Sequence, residues 1–333
     1  MRGRIEPAHR ARDGGVARMT VQNLRKPSLL YGLGVRSPFS VYDFEEQHAP
    51  ILDWLEAHKL RSNLAFEEAV LARVPTEERE ISEDTSLTVT NGEHLTITKN
   101  ARIEASLEGT AIDDLNVSVL VLDVQADTDL VLDAEPESKT VHLIYARVAP
   151  HATLRFNDLV VTQHDSFRRT RVVLEENATV HPNHAFFTYG SGKVDLKSDV
   201  THYGRESFSD MKVRGVLAGS SHVIMQGDVT IKPSAFDANG YQQEDLILAS
   251  PKAIARPIPN LEIGNNEVKC SHGATVSNLD PETVFYLKSR GIPEQDARSL
   301  LLASFVAPVL DLFETEHLDR IRSKVRGIID EAR

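Results

Sequence analysis

The sequence contains one cysteine, Cys270, so an internal disulfide is excluded and a reducing compartment is the natural setting. No Cys-x-x-Cys pair exists, and this chain alone has no four-cysteine cluster site. Aromatic residues make up only 6% of the chain. That is sparse for the aromatic groove with paired carboxylates that a glycan-cleaving enzyme needs. Positive charge is in deficit: 37 Lys and Arg stand against 49 Asp and Glu, a net charge of −12. A sequence-independent grip on nucleic acid is therefore not expected. No apolar run approaches the ~20 residues needed to span a bilayer. The longest, Leu300 to Val306, has the length of a buried helix segment. These absences point to a cytoplasmic protein with neither nucleic acid nor membrane as partner.

What is present is β texture. The 333 residues leave room for two domains. The start carries Arg2, Arg4, Arg10, Arg12 and Arg18 without an apolar segment, so it is no secretory signal. Residues 1–20 are expected to be a disordered extension, with Met1 and Met19 both open as the true start. Between Asp43 and Arg73 apolar residues fall near helical spacing, predicting one or two short helices. The charged run Glu77 to Asp84 reads as a solvated linker, so residues 37–80 form a helical segment plus linker.

From Ser86 onward, short alternating or continuous apolar stretches recur for roughly 190 residues: Leu87–Val89, Leu95–Ile97, Ile103–Leu107, Val119–Val124 and their successors to Val229–Ile231. They come too densely for one simple sandwich. A parallel β-helix over 85–279 fits, because each coil buries its apolar face only when stacked on a neighbour. Histidines at 142, 164, 181 or 184, 202 and 222 recur at steps of roughly twenty residues. If one coil has that length, His164, His184, His202 and His222 stack as a ladder and become metal-path candidates. Chance spacing among 13 histidines is the other explanation.

Two motifs fail. Gly190-Ser191-Gly192-Lys193 lacks the earlier glycine and the following Ser or Thr of a phosphate loop, so it reads as a turn and no nucleotide is expected on this chain. His181-Pro182-Asn183-His184 reads as a turn at Pro182-Asn183.

The C-terminal part, residues 280–333, reads as helical. Asp280 is a fitting N-cap, Pro281 a fitting first position and Gly291 a fitting stop. A second helix follows Pro293 and is limited by Pro308. A third is expected from about Glu314 to Glu331. Such helices cap the open end of a β-helix or present a ridge to a partner.

Where β texture gives way to α lies the one concentration of chemistry. Cys270 and His272 are two apart, so in a strand they share a face. A thiolate and an imidazole both bind soft or borderline metals, and a nearby imidazole lowers a thiol pKa. Two ligands do not close a metal site, and a lone cysteine is most often a small buried hydrophobe.

Glu262-Ile263, then Val268-Lys269-Cys270-Ser271-His272-Gly273-Ala274-Thr275-Val276, then Phe285-Tyr286-Leu287-Lys288-Ser289-Arg290-Gly291-Ile292 together resemble the signature of the SufB/SufD family, the scaffold proteins of SUF iron–sulfur cluster assembly. The resemblance implies a right-handed parallel β-helix core. It implies a C-terminal helical segment that docks a SufC-type ABC ATPase through Phe285, Tyr286, Leu287, Lys288, Arg290, Arg298 and Phe305. It implies pairing with a SufB/SufD-type chain or with itself, and a transient iron–sulfur cluster at that subunit interface. Cys270 and His272 become candidate cluster or iron ligands, and flavin binding stays open. His272-Gly273 is D-like, whereas B-type members show His-Glu and an upstream cysteine that this chain lacks. A non-enzymatic SufD-like scaffold is thus expected. The alternatives are a structural homodimer with an inert cysteine and an enzyme built on a β-helix.

Overall fold

The computed structural model describes residues 71–112, 115–310 and 323. The expected extension at 1–20, all but the last residues of the helical segment expected between 43 and 73, and all but residue 323 of the third helix expected at 314–331 lie outside the described residues.

The described chain is a stack of parallel coils, each contributing one strand to each of two sheets. The strands in chain order are β1 (Thr76–Ile81), β2 (Thr85–Val89), β3 (Gly92–Ile97), β4 (Ala101–Leu107), β5 (Thr110–Ile112), β6 (Leu115–Val124), β7 (Thr128–Ala134) and β8 (Thr140–Val148). They continue as β9 (Thr153–Thr162), β10 (Ser166–Leu174), β11 (Thr179–Thr188), β12 (Lys193–His202), β13 (Phe208–Leu217), β14 (His222–Ile231), β15 (Asn239–Leu248), β16 (Ile254–Ile263) and β17 (Lys269–Asn278). One sheet runs β1-β3-β6-β8-β10-β12-β14-β16, with β5 attached to β6. The other runs β17-β15-β13-β11-β9-β7-β4-β2. All pairings are parallel except β5 with β6. This is the parallel β-helix that the apolar texture predicts.

The sequence dictates it through period-two side chains. In β12, Val194, Leu196 and Val200 turn inward and join one core with Leu154, Phe156, Val180, Met211 and Leu246 from the facing sheet. Each fully buried Val, Leu, Ile or Phe contributes about 1.5–3 kcal/mol, and no coil gains this alone.

Four expectations change. The charged run after Thr76 is not a linker but β1, paired with β3 from Thr76↔Gly92 to Ile81↔Ile97, with its acidic side chains facing water. Pro182 and Asn183 lie inside β11, not in a turn. Pro182 has no N–H to give, and β11 skips His181 and Pro182 in its pairing with β13. Pro308 lies inside its helix, near the C-terminal end, where loss of one backbone bond is tolerated.

The fourth concerns the histidines. A coil takes 24 residues where Ser118 neighbours His142 and 32 where Asp228 neighbours Asn260, so the pitch is longer than the histidine spacing. His142 pairs with Ser118 and Arg168, His184 with Asp158 and Val213, His202 with Leu174 and Ile231, and His222 with Lys193 and Ile254. His164 lies between β9 and β10. The ladder does not form, and the metal path loses its geometric basis.

His142 and His202 are buried inside the stack instead. Burial, with the charge of Arg168, pushes His142 down to about 3. Burial pushes His202 down to about 4. Both therefore fold as neutral rings whose ordinary value is 6.5. A depressed folded pKa means that their contribution is intact above about 6.5 and lost as pH falls toward 4. The urea midpoint should fall steadily between pH 6.5 and 5, and the fall should be shallower in a His142→Asn/His202→Asn double variant. Identical slopes in the two proteins would contradict this assignment.

Candidate functional site: the last coil and the helices after it

β16 and β17 form the last coil, and each is the outermost strand of its sheet. Their edges away from β14 and β15 have no strand partner among the described residues. β17 is largely exposed and β16 is mostly half-buried, and the apolar Ile254, Ile263 and Val276 face solvent. β16 accommodates Pro257 and Pro259, which an edge strand tolerates and an interior one does not.

Register places the chemistry. Gly240, Gln242 and Glu244 of β15 pair with Cys270, His272 and Ala274 of β17. Cys270 and His272 thus share the face that continues the inner column of the stack. Cys270 is half-buried, packed beside Ile231, Ala235 and Ala238, and His272 is exposed. Burial pushes the Cys270 thiol up, against a smaller pull from the Gly240 backbone. Half-buried and pushed up by desolvation, Cys270 is a thiol rather than a reactive thiolate in the single chain. Among the described residues no three His, Cys, Asp or Glu side chains converge to hold a metal.

Beyond β17 come α1 (Pro281–Ser289) and α2 (Glu294–Leu310). Asp280 caps α1 by accepting from the Glu282 and Thr283 amides, Pro281 occupies its start, and Gly291 follows with φ +87. These helices do not close the open end. Leu302 and Val306 of α2 bury against the outer face of the second sheet, beside Phe187, Val216 and Ile247. Phe305 belongs to that contact: it is partly buried, the Arg214 guanidinium sits 5.3 Å from its ring, and Arg214 donates to its carbonyl. It is therefore committed to the body and unsuited to dock a partner. Phe285 and Tyr286 are 71% and 53% exposed, as is Leu300 at 53%. Around them Lys288 pairs with Glu294 at 2.6 Å, Arg298 approaches Glu294, and Arg290 lies over the Tyr286 ring. Leu287 is half-buried. No described helix is long and apolar enough to cross a membrane.

Residues 74–305 match the family model described as SUF system FeS cluster assembly, SufBD core domain. The chain belongs to the SufB/SufD family. Relatives include the chloroplastic protein ABCI7 of Arabidopsis thaliana, 34% identical over 34% of this chain and 24% of its own length. The iron-sulfur cluster assembly protein SufD of Escherichia coli is 29% identical over 43% of this chain and 34% of its own. That of Bacillus subtilis is 32% identical over 37% and 28%. The chain thus spans about a quarter to a third of these relatives. The SufB/SufD match runs from just before β1 into α2 and includes the last coil.

Two polar groupings inside this SufB/SufD core were not foreseen. In the first, Arg168 and His184 both bond Asp158, His184 reaches Ser198 at 3.0 Å, and Ser118 bonds His142 at 2.7 Å. Asp158, His184 and Ser198 resemble a hydrolytic triad in connectivity, yet each is at most 1% exposed and sealed among core side chains. Burial alone would push the Asp158 carboxyl up; Arg168 and His184 outweigh it and hold it below its ordinary value. The second is Gln242 and Glu244, bonded to each other at 2.8 Å one coil below His272. Burial pushes Glu244 up to about 8. The sequence signal was available: Gln242-Gln243-Glu244-Asp245 places four polar residues in one strand, so alternation must turn two of them inward.

Alkylation of Cys270 by iodoacetamide should rise with an apparent pKa above 9.0. In the isolated chain His272→Ala should leave that profile unchanged. A midpoint below 8, or a midpoint that rises in the variant, would show that the imidazole does activate the sulfur.

Proposed function

We propose that this chain is a SufD-like scaffold subunit of SUF iron–sulfur cluster assembly. It pairs through its last coil with a second copy or a SufB-type chain, and it docks a SufC-type ATPase through α1 and the start of α2. Family membership supplies the class of function. The observation that carries the reading is that Cys270 and His272 sit together on an outermost, exposed strand. A sulfur and a ring nitrogen suit iron or a nascent cluster, which is cargo here. One chain supplies too few ligands, so the partner completes the set, and a homodimer would offer each residue twice about its axis. The exposed Ile263 and Val276 give that junction apolar contact area.

For the ATPase, Phe285, Tyr286 and Leu300 are the anchors and Lys288, Arg290 and Arg298 the polar rim, as central aromatics within a polar border suggest. Phe305 holds α2 in place. ATP chemistry belongs to the partner, and this chain acts without catalysing a reaction itself.

Co-expression with the ATPases of the same genome should yield a stable complex. Phe285→Ala/Tyr286→Ala should weaken it by at least about 2 kcal/mol, roughly thirtyfold. Anaerobic reconstitution of the complex with iron and sulfide should give cluster absorbance that falls in Cys270→Ala and His272→Ala. A complex that forms normally but shows the same absorbance in both variants would leave a structural β-helix subunit with an inert cysteine.

A further inference from the structure

Below the Cys270 and His272 coil the inner column changes character. Before Gln242 the stack holds Met211, and before Glu244 it holds Val213, then His184 and Asp158, which bond each other. At β15 it carries Gln242 and Glu244, which are 3% and 0% exposed. Room for them comes from the facing sheet. Gly227 of β14 lies opposite, and a Cβ there would meet Gln242 Nε2 at 2.3 Å and Glu244 Oε1 at 2.5 Å. Gly227 pairs in turn with Pro259 of the last coil.

The two side chains are held but not satisfied. Gln242 Nε2 donates to the Gly227 carbonyl at 3.1 Å and to Glu244 Oε1 at 2.8 Å. The Ile258 and Gly227 backbones also draw on the Glu244 carboxyl, yet Gln242 Oε1 and Glu244 Oε2 have no partner within full hydrogen-bond geometry. A buried acceptor left unmet costs about 1–3 kcal/mol. Below about pH 8 the proton that burial keeps on Glu244 can meet one of them, and a cation would have to displace it. Carbonyl and carboxylate oxygens together are hard ligands, suited to divalent iron, manganese or magnesium more than to a soft ion.

We propose that Gln242 and Glu244 form an oxygen-ligand subsite for a divalent cation, one coil inside the strand that bears Cys270 and His272. The naming of ferrous iron as the natural ion rests on the SUF reading; the cation subsite itself does not. A hard oxygen site beside a sulfur and nitrogen pair separates two tasks. It receives the bare ion, and the outer pair holds the ion once sulfide joins it.

The test uses the full chain and manganese(II), read by the loss of the free-ion electron paramagnetic resonance signal. Wild type should take up one ion per chain, and Glu244→Gln should bind at least tenfold more weakly. Cys270→Ser should stay within about twofold of wild type, because manganese avoids sulfur. Glu244→Gln keeps the side-chain volume, and an unchanged thermal transition will show that its fold is intact; if it does not fold, Gln242→Leu is read in its place, with the same tenfold loss expected. No uptake by wild type, or equal uptake by Glu244→Gln, overturns the subsite. Loss of the ATPase complex alongside normal manganese uptake would remove the SUF reading and leave the subsite standing.

Discussion

Parallel stacking in register is the constraint from which the rest follows. Each inward side chain rests on the equivalent one of the coil before it, so the core is a set of columns that grow along one axis. A column has a coil on both sides at every level except its two ends. β16 gives up two N–H groups at Pro257 and Pro259, but the larger difference from β14 and β15 is that β16 and β17 have no next strand among the described residues, which leaves edges and apolar side chains facing outward. A natural edge is usually blunted or covered. Here α2 is spent on the flank of the second sheet, held by Leu302, Phe305 and Val306, and does not cover it.

The same geometry sorts polar residues by consequence. Deep in the stack, Asp158 is met by Arg168 and His184, and His202 by Ser207 and Ser209, so their polarity is contained. Such pairs add little over a well-packed apolar filling, although removal of one member of the buried ion pair costs about 3–5 kcal/mol. Near the open end, polarity is less contained. Gln242 and Glu244 keep free acceptors, Cys270 is half-buried, and His272 reaches solvent. Chemistry is therefore graded along the axis, from sealed to accessible.

Much of this was legible in the sequence. Apolar stretches such as Leu95–Ile97, Val119–Val124 and Val194–Leu196 each mark one strand, and Asp280, Pro281 and Gly291 mark the bounds of α1 because caps are local chemistry. The shared face of Cys270 and His272 followed from strand periodicity alone. The coil length did not, because pitch depends on how far each turn travels between sheets, and the histidines offered a shorter, accidental period. β1 was hidden because its acidic side chains face water and only its pairing with β3 makes it a strand. Pro182-Asn183 has the composition of a turn, but one missing N–H is also tolerated inside a strand whose neighbour is not bonded at that point. The fate of Phe305 required knowing which flank of the sheet was free, and that is tertiary information.

Hydrogen–deuterium exchange on the chain alone and after assembly with its partner subunit tests the central claim directly, because backbone amides report which edge becomes covered. Protection should rise in 254–263 and 269–278 and stay level in 76–81 and 85–89 at the opposite end of the stack. Unchanged exchange across the last coil, with new protection at β1 and β2, would place the junction at the other end and take Cys270 and His272 out of it.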